Sequence, residues 1–255
     1  MSDRVMIFSQ RNLKELMRDP LSYIFCIGFP VVMLIVMTAV NESIPPQAGM
    51  TVFQIQNLSG GIAVFGLSFV MLFTCMTVSK DRSGAFLRRL YASPLKGAEY
   101  VSGYTLPVMV IAAVQTVITA AASVVIGIFQ DYTFDFVGLI CGMLMLIPIA
   151  VMFIGLGLLF GTIFNEKAAP GLCSIIISLA AFLGGEWMDI EAMGGTIKKI
   201  CDILPFYNGV KAMRFCVAGE FSEAVTPLLI TAVYAAAVFV LAAVCFSKKM
   251  KSDIR

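Results

Sequence analysis

One short basic stretch, residues 79–97, lies between two long apolar runs and combines charged with apolar side chains. It carries five lysines and arginines against a single acid, Asp81. Four of its apolar side chains recur at spacings of three and four residues, the repeat of one helix face: Phe86, Leu87, Leu90 and Tyr91. This pattern predicts a short basic helix with one apolar face.

Two interpretations of the basic stretch are open. Ser79 or Ser83 is a suitable helix cap, and Pro94 ends a helix because the residue before a proline is pushed out of the helical region. With these boundaries, the stretch is a short amphipathic helix that docks a soluble partner. Alternatively it is a plain basic loop, because lysine and arginine mark the cytoplasmic side of any membrane protein.

Composition excludes several classes of catalysis. The 255 residues contain no histidine, which removes Ser-His triads and histidine metal sites. The seven cysteines form no C-x-x-C pair, and no G-x-x-x-x-G-K-[ST] phosphate loop is present. Cys201 and Cys216 share a polar segment, where a disulfide requires an oxidising exterior. Without a phosphate loop the chain cannot hydrolyse ATP by that route, so if it does work the energy must enter from outside the chain.

The elements that position the basic stretch are membrane spans. The chain is 59% apolar and 13% charged, against about 25% charged for a soluble domain. Apolar runs of span length lie at about 21–40, 58–78, 101–129, 136–160, 168–185 and 225–246. The predicted fold is therefore all-α and polytopic, with six transmembrane helices in a single domain, residues 1–255.

The basic residues predict the orientation of these spans. With both termini in the cytoplasm, 14 of the 18 lysines and arginines lie on the inside. The other four lie in one long polar segment, 186–224, where the positive-inside rule is weakest. The basic stretch 79–97 is then cytoplasmic and 186–224 is extracytoplasmic. No Asp, Glu, Lys or Arg falls inside the six runs, which argues against a proton-driven pump.

Two further segments read as helices outside the spans. Residues 1–19 predict an amphipathic helix in the membrane interface, with Leu13, Leu16 and Met17 on its apolar side. Segment 186–224 predicts two short helices hinged at Pro205 and ended by Gly219. The alternative for this segment is a folded cap with no direct part in transport.

The order of these motifs resembles the permease subunits of bacterial type-2 ABC exporters. Arg18-Asp19-Pro20 is similar to that family's start of the first span, and Asp81-Arg82-Ser83-Gly84 with Ser93-Pro94-Leu95 is similar to its first cytoplasmic loop. Leu204-Pro205, Tyr207 and Ala212-Met213-Arg214 are similar to its pattern before the last span. Asp81, where Glu is commoner, and Ala85, where Thr is common, depart from it.

The resemblance implies an export mechanism in the bacterial cytoplasmic membrane. Two permease subunits, identical or paralogous, pair around a pathway, and two soluble ATPase subunits carry the ATP and magnesium. This chain itself binds no cofactor or metal. Each ATPase grips the coupling segment, whose expected docking residues are Asp81, Arg82, Gly84, Phe86, Leu87, Arg88, Arg89, Leu90, Tyr91, Ser93 and Pro94. The substrate is hydrophobic or amphipathic: a drug, an antimicrobial peptide or a lipid-linked molecule.

The remaining expected site residues lie in the spans and the outer segment. Polar points of the pathway are predicted at Thr74, Thr77, Ser174 and Ser178, with helix packing as the alternative. The outer hinge is predicted at Pro205, Tyr207 and Arg214. The rival functions are a self-contained secondary carrier or channel, which needs no ATPase, and a membrane enzyme, for which no acidic pair lies at membrane depth.

Overall fold

The computed structural model describes residues 3–45, 50–84 and 97–253. All regular secondary structure in these ranges is helical, which confirms the predicted all-α class for the described part of the chain. Its α-helices are α1 (Asp3–Arg18), α2 (Pro20–Tyr23), α3 (Phe29–Ser43), α4 (Ile55–Ser83), α5 (Gly97–Phe129), α6 (Phe136–Met145), α7 (Ile147–Ile163), α8 (Ala169–Leu183), α9 (Ile190–Met193), α10 (Gly195–Ile203), α11 (Pro205–Val217) and α12 (Phe221–Asp253).

Five helical stretches in the described ranges are long and apolar enough to cross a membrane: Ile24–Ser43, Ile55–Ser83, Gly97–Phe129, Phe136–Ile163 and Phe221–Lys249. The predicted fifth span, about 168–185, is instead the shorter helix α8, of 15 residues. At about 1.5 Å per residue it reaches roughly 22 Å, less than the roughly 30 Å hydrocarbon core. The count of six spans therefore stays a prediction.

Two of the spans are interrupted helices. A π-helical turn, Ile24–Gly28, joins α2 to α3 in the first span. The predicted fourth span is divided at Leu146, between α6 and α7, and Pro148 lies in the first turn of α7. Proline supplies no backbone N–H, so it is readily accommodated in the first turn of a helix, where that N–H would have no partner within the helix.

Helix α4 lies at the centre of the fold. In the most apolar 18 residues of α4, 83% of the residues are buried; in the corresponding 18 residues of the first and last spans, 17% are buried. Two glycines of α7 let α7 approach α4 closely. A Cβ on Gly157 would lie 2.5 Å from the Met71 carbonyl oxygen, and one on Gly161 would lie 2.7 Å from that of Cys75. Such small residues are the usual means of close helix packing in membranes.

The N-terminal helix α1 packs on α5 through one face, which contains Val5, Phe8, Ser9, Asn12 and Leu16. Of the predicted apolar side, Leu16 belongs to this buried face, Leu13 is half-buried and Met17 is exposed. The buried face also includes an amide, Asn12, whose hydrogen bond is made to another helix. The position of α1 in the membrane interface stays a prediction.

The basic stretch 79–97 is described only at its two ends. Residues 80–83 complete the last turn of α4, so Ser79 lies inside that helix and donates to the Met76 carbonyl. Its predicted role as the cap of a new helix is therefore wrong. Residues 85–96 lie outside the described ranges.

The outer segment has the predicted helix boundary at Pro205. Leu204 is extended between α10 and α11, and Pro205 is the first residue of α11. A hinge motion at this boundary stays a prediction. Cys201 and Cys216 are buried and free, so they form no disulfide in this structure.

Candidate functional site

The last turn of α4 is joined to three other helices. We call this region the α4 junction: residues 79–84 with Arg11 of α1, Tyr104 of α5 and residues 161–164 at the end of α7. At its centre is Asp81, with 5% of its surface exposed. Arg11 Nη1 donates to Asp81 Oδ2 at 2.8 Å and Arg11 Nη2 to Oδ1 at 3.2 Å, a bidentate ion pair. The Tyr104 hydroxyl donates to Asp81 Oδ2 at 2.9 Å, so one carboxylate ties α4 to α1 and α5.

Aromatic packing holds α1 where Arg11 can reach this carboxylate. The ring of Phe8 meets Tyr100 and Tyr104 edge to face, with ring centroids 5.9 and 5.0 Å apart. Gly103 is required between the two tyrosines, because a Cβ there would collide with the Phe8 ring. Asn12 Nδ2 donates to the Gly103 carbonyl at 3.0 Å, which fixes α1 along α5.

Arg82 ties the same turn of α4 to the end of α7. Its Nη1 donates to the Gly161 carbonyl at 3.1 Å and to the Thr162 carbonyl, and lies 3.5 Å from the Phe164 carbonyl. The last carbonyls of a helix have no partner within the helix, and their negative end attracts a cation. Arg82 therefore caps α7 and bonds its end to the last turn of α4.

The structure divides the predicted docking residues into two groups. Asp81 and Arg82 point into the fold and hold helices together, and Gly84 follows the end of α4 with an extended backbone. The others lie outside the described residues: Phe86, Leu87, Arg88, Arg89, Leu90, Tyr91, Ser93 and Pro94. Their contact with an ATPase stays a prediction.

The predicted pathway residues do not share one surface. Thr74 is buried and Thr77 is half-buried, whereas Ser174 and Ser178 are exposed. All four hydroxyls donate to the carbonyl four residues earlier, at 2.7 to 2.9 Å. Bonding within the helix is the ordinary behaviour of Ser and Thr in helices. Their role in a pathway stays a prediction.

A second polar region lies at the other end of α4, and we call it the Arg214 network. Arg214 Nε donates to the Asn57 carbonyl and Nη2 to the Gly185 carbonyl, each at 2.9 Å. These bonds connect α11 with the first turn of α4 and with the turn after α8. Burial lowers the pKa of Arg214, an effect that the nearby Tyr207 and Glu186 oppose.

Tyr207, also predicted as a site residue, belongs to an adjoining set of ion pairs. Its hydroxyl donates to Glu191 Oε1 at 2.9 Å, and Glu191 also accepts from Lys198. Lys211 Nζ lies 3.5 Å from Glu191 Oε1 and 3.3 Å from Asp202 Oδ1. The bond from Lys198 lowers the pKa of Glu191, and burial raises the pKa of Tyr207. A cavity of about 560 Å³ opens beside these groups, lined by charges of both signs.

Sequence reasoning missed four residues of these regions: Arg11, Asn12, Tyr104 and Glu186. Three of them act across helices distant in the sequence, so no local spacing identifies them. Glu186 was assigned to the polar outer segment, but it is fully buried. Among the described residues, no group of three or more His, Cys, Asp or Glu side chains is placed to hold a metal ion.

Most of the chain matches a known protein family. A model of the ABC-2 family transporter proteins matches residues 40–244. The match includes α4 to α11 and most of α12, and therefore both Asp81 and Arg214; Arg11 precedes it. No curated protein matches the chain.

Proposed function

Because the chain belongs to the ABC-2 transporter family, we propose that it is the membrane subunit of an ATP-driven exporter. The family match makes it a membrane subunit of an ABC transporter, to which an ATP-binding subunit is attached, and confirms the resemblance noted in the sequence. The outward direction, the substrate class and the docking segment are parts of the proposal.

The observation that carries the proposal is the direct continuity of the basic segment 85–96 with the α4 junction. This segment begins one residue after Gly84, where α4 has just ended. The last turn of α4 is bonded to α1, α5 and α7 through Asp81 and Arg82. A force applied to the segment therefore reaches four helices at once.

The mechanism follows from this connection. A soluble ATPase holds the apolar face of segment 85–96 in a groove, with Arg88 and Arg89 facing acidic groups at its rim. ATP and magnesium stay on that partner, and ATP binding there moves the segment. The packed helices switch between two discrete arrangements, inward-facing and outward-facing, instead of bending continuously.

The substrate and the assembly are proposed from the character of the spans. The six apolar runs contain no Asp, Glu, Lys or Arg, which suits an apolar or amphipathic substrate. A second permease subunit, identical or paralogous, completes the pathway. By the positive-inside rule both termini and segment 85–96 lie in the cytoplasm, beneath a bacterial plasma membrane.

A reversal of charge in the docking segment tests the proposal. The variant Arg88→Glu with Arg89→Glu is compared with Lys248→Glu with Lys249→Glu, which makes the same charge change in the tail. Tagged protein is purified from its native membrane in mild detergent. We expect wild type and the tail variant to bring down a near-equimolar soluble ATPase, and the Arg88/Arg89 variant to lose it while staying in the membrane.

Two results would contradict the proposal. One is an Arg88/Arg89 variant that keeps its ATPase and exports normally. The other is a chain that purifies alone and moves solute in vesicles without ATP. That second result would identify a self-contained carrier, and the basic segment would be an ordinary cytoplasmic loop.

A further inference from the structure

Glu186 is a buried acid that the mechanism above does not use. It follows α8 in the turn at 184–187, and 1% of its surface is exposed. Neither of its carboxyl oxygens has a hydrogen-bond partner in the described part of the chain. A buried carboxylate without hydrogen bonds is strongly disfavoured relative to the neutral acid.

Glycines on two sides make the space that this side chain fills. A Cβ on Gly61 of α4 would lie 3.4 Å from Glu186 Cα and 3.6 Å from its Cγ. A Cβ on Gly184 would lie 3.5 Å from Glu186 Oε1. The next residue, Trp187, sets its ring edge against Phe65 of α4, with centroids 5.3 Å apart. The carboxyl is therefore enclosed only while α4 and the end of α8 stay together.

Arg214 is the charged group that acts on this carboxyl. Its Nε and Nη2 donate to two backbone carbonyls and make no bond to Glu186. Besides Glu186, the groups whose charge acts on the Arg214 guanidinium are Tyr207 and Asp189. The contacts of Glu186 with α4 and with the end of α8 are made at glycines, which carry no charge. Burial raises the pKa of Glu186 well above its ordinary value, and Arg214 opposes that rise.

We propose that Glu186 is a proton-binding site, occupied while the start of α4 and the end of α8 are packed together and emptied when they separate. On separation the O–H bond of the carboxyl breaks, water takes the proton, and the carboxylate is solvated. The proposal rests on the proposed function, because the separation is its outward-opening step.

The direction of the pH effect follows from linkage. The packed state binds the proton more tightly than the open state, so acid outside favours the packed state. This contribution is present at low pH and is lost as the pH rises through the raised pKa of the packed state. An alkaline exterior therefore promotes opening.

The only tryptophan of the chain, Trp187, adjoins the site and reports on it. Full-length protein in lipid nanodiscs is titrated from about pH 5 to about pH 9, a range that covers buried carboxyls, and acrylamide quenching of Trp187 is measured. Wild type is compared with Glu186→Gln, which mimics the neutral acid, and with Glu220→Gln, an exposed acid of the same segment. We expect one rise in quenching for wild type and Glu220→Gln. Glu186→Gln should lose it and stay at the acid value.

A flat wild-type titration, or an unchanged transition in Glu186→Gln, would overturn the proposal. If Glu186→Gln fails to accumulate, infrared spectra of wild type decide: the C=O band of a protonated carboxyl must disappear through the same transition, and its persistence overturns the proposal. Neither measurement uses an ATPase. The proton site can therefore fail while docking at Arg88 and Arg89 still holds, and the reverse.

Discussion

Breaking the ion pair between Arg11 and Asp81 tests whether α1 is held in place by this charge pair with α4 or by its aromatic packing on α5. We expect Arg11→Met to destabilise the fold more than Asp81→Asn, and the double variant to be little worse than Arg11→Met alone. Without Arg11 a buried carboxylate keeps Tyr104 as a donor but has lost its counter-charge. Without the carboxylate, Arg11 still reaches Glu15, at 2.7 Å, and solvent.

The magnitude follows from the burial of the two side chains. Breaking a buried pair costs about 3–5 kcal/mol, and an exposed pair contributes about 0–1 kcal/mol. The Asp81 side chain is 6% exposed and that of Arg11 is 30% exposed, which places this pair between the limits. We expect about 2–3 kcal/mol for Arg11→Met and about 1–2 kcal/mol for Asp81→Asn. The coupling energy of the cycle is then about 1–2 kcal/mol.

Thermal unfolding of the purified chain measures these energies. A loss of about 1 kcal/mol shifts the Tm of a chain of this size by about 2–4 °C, so Arg11→Met should lower it by about 5–10 °C. The control is Arg4→Met, an exposed arginine of the same helix, which should stay within about 0.5 kcal/mol of wild type.

A coupling energy near zero would refute the reasoning. So would an Arg11→Met variant as stable as Arg4→Met. Either result would mean that the edge-to-face contacts of Phe8 hold α1 without help from the charge. The link from the docking segment to α1 would then pass through Tyr104 and α5.

Two further predictions concern the contact between α4 and α7 and the ion pairs of Glu191. Gly157→Ala places a Cβ 2.5 Å from a backbone oxygen of α4 and should destabilise the fold by about 1–3 kcal/mol. The control Gly171→Ala, with no atom within 4 Å of the new Cβ, should be neutral or slightly stabilising. The measurement is the fraction of each variant that stays folded in detergent after heating. Glu191→Gln should lower the Tm at neutral pH, because a carboxylate whose pKa is lowered in the folded state stabilises that state at pH values above the ordinary pKa of 4.5. The Tm values of wild type and Glu191→Gln should converge as the pH falls below 4.5. A difference in Tm that stays constant with pH would show that the ion pairs of Glu191 are not its cause.

Five of the predicted spans and the boundary at Pro205 were predictable because they depend on composition and on local backbone chemistry. Hydropathy identified α4, but it ended that span at about residue 78, since Lys80, Asp81 and Arg82 resemble the polar start of a loop. The helix continues to Ser83 because Asp81 and Arg82 find partners on other helices. Arg11 and Gly161 lie 70 and 79 residues from their partners and Tyr104 lies 23 residues from Asp81, so no local pattern reveals these contacts.

The length of the helix in the fifth predicted span was overestimated for a related reason. The apolar run at 168–185 includes Gly184 and Gly185, which sequence alone assigns to the span. In the structure α8 ends before them, and Gly185 has a φ of +69°, which a glycine adopts without strain. That turn brings Glu186 against α4, so an acid that looks like the start of a polar loop becomes the most enclosed carboxyl of segment 186–224.

Helix α4 connects the two polar regions, and its burial determines how. From Gly61 to Asp81 it covers about 30 Å. Its surface is mostly enclosed, and α7 touches its backbone directly at Gly157 and Gly161, so α4 cannot move far sideways without moving α7. A close-packed interior changes between discrete arrangements rather than stretching. A displacement at Asp81 therefore reaches Gly61 as a movement of the whole helix, and the contact that encloses Glu186 is the one such a movement would open.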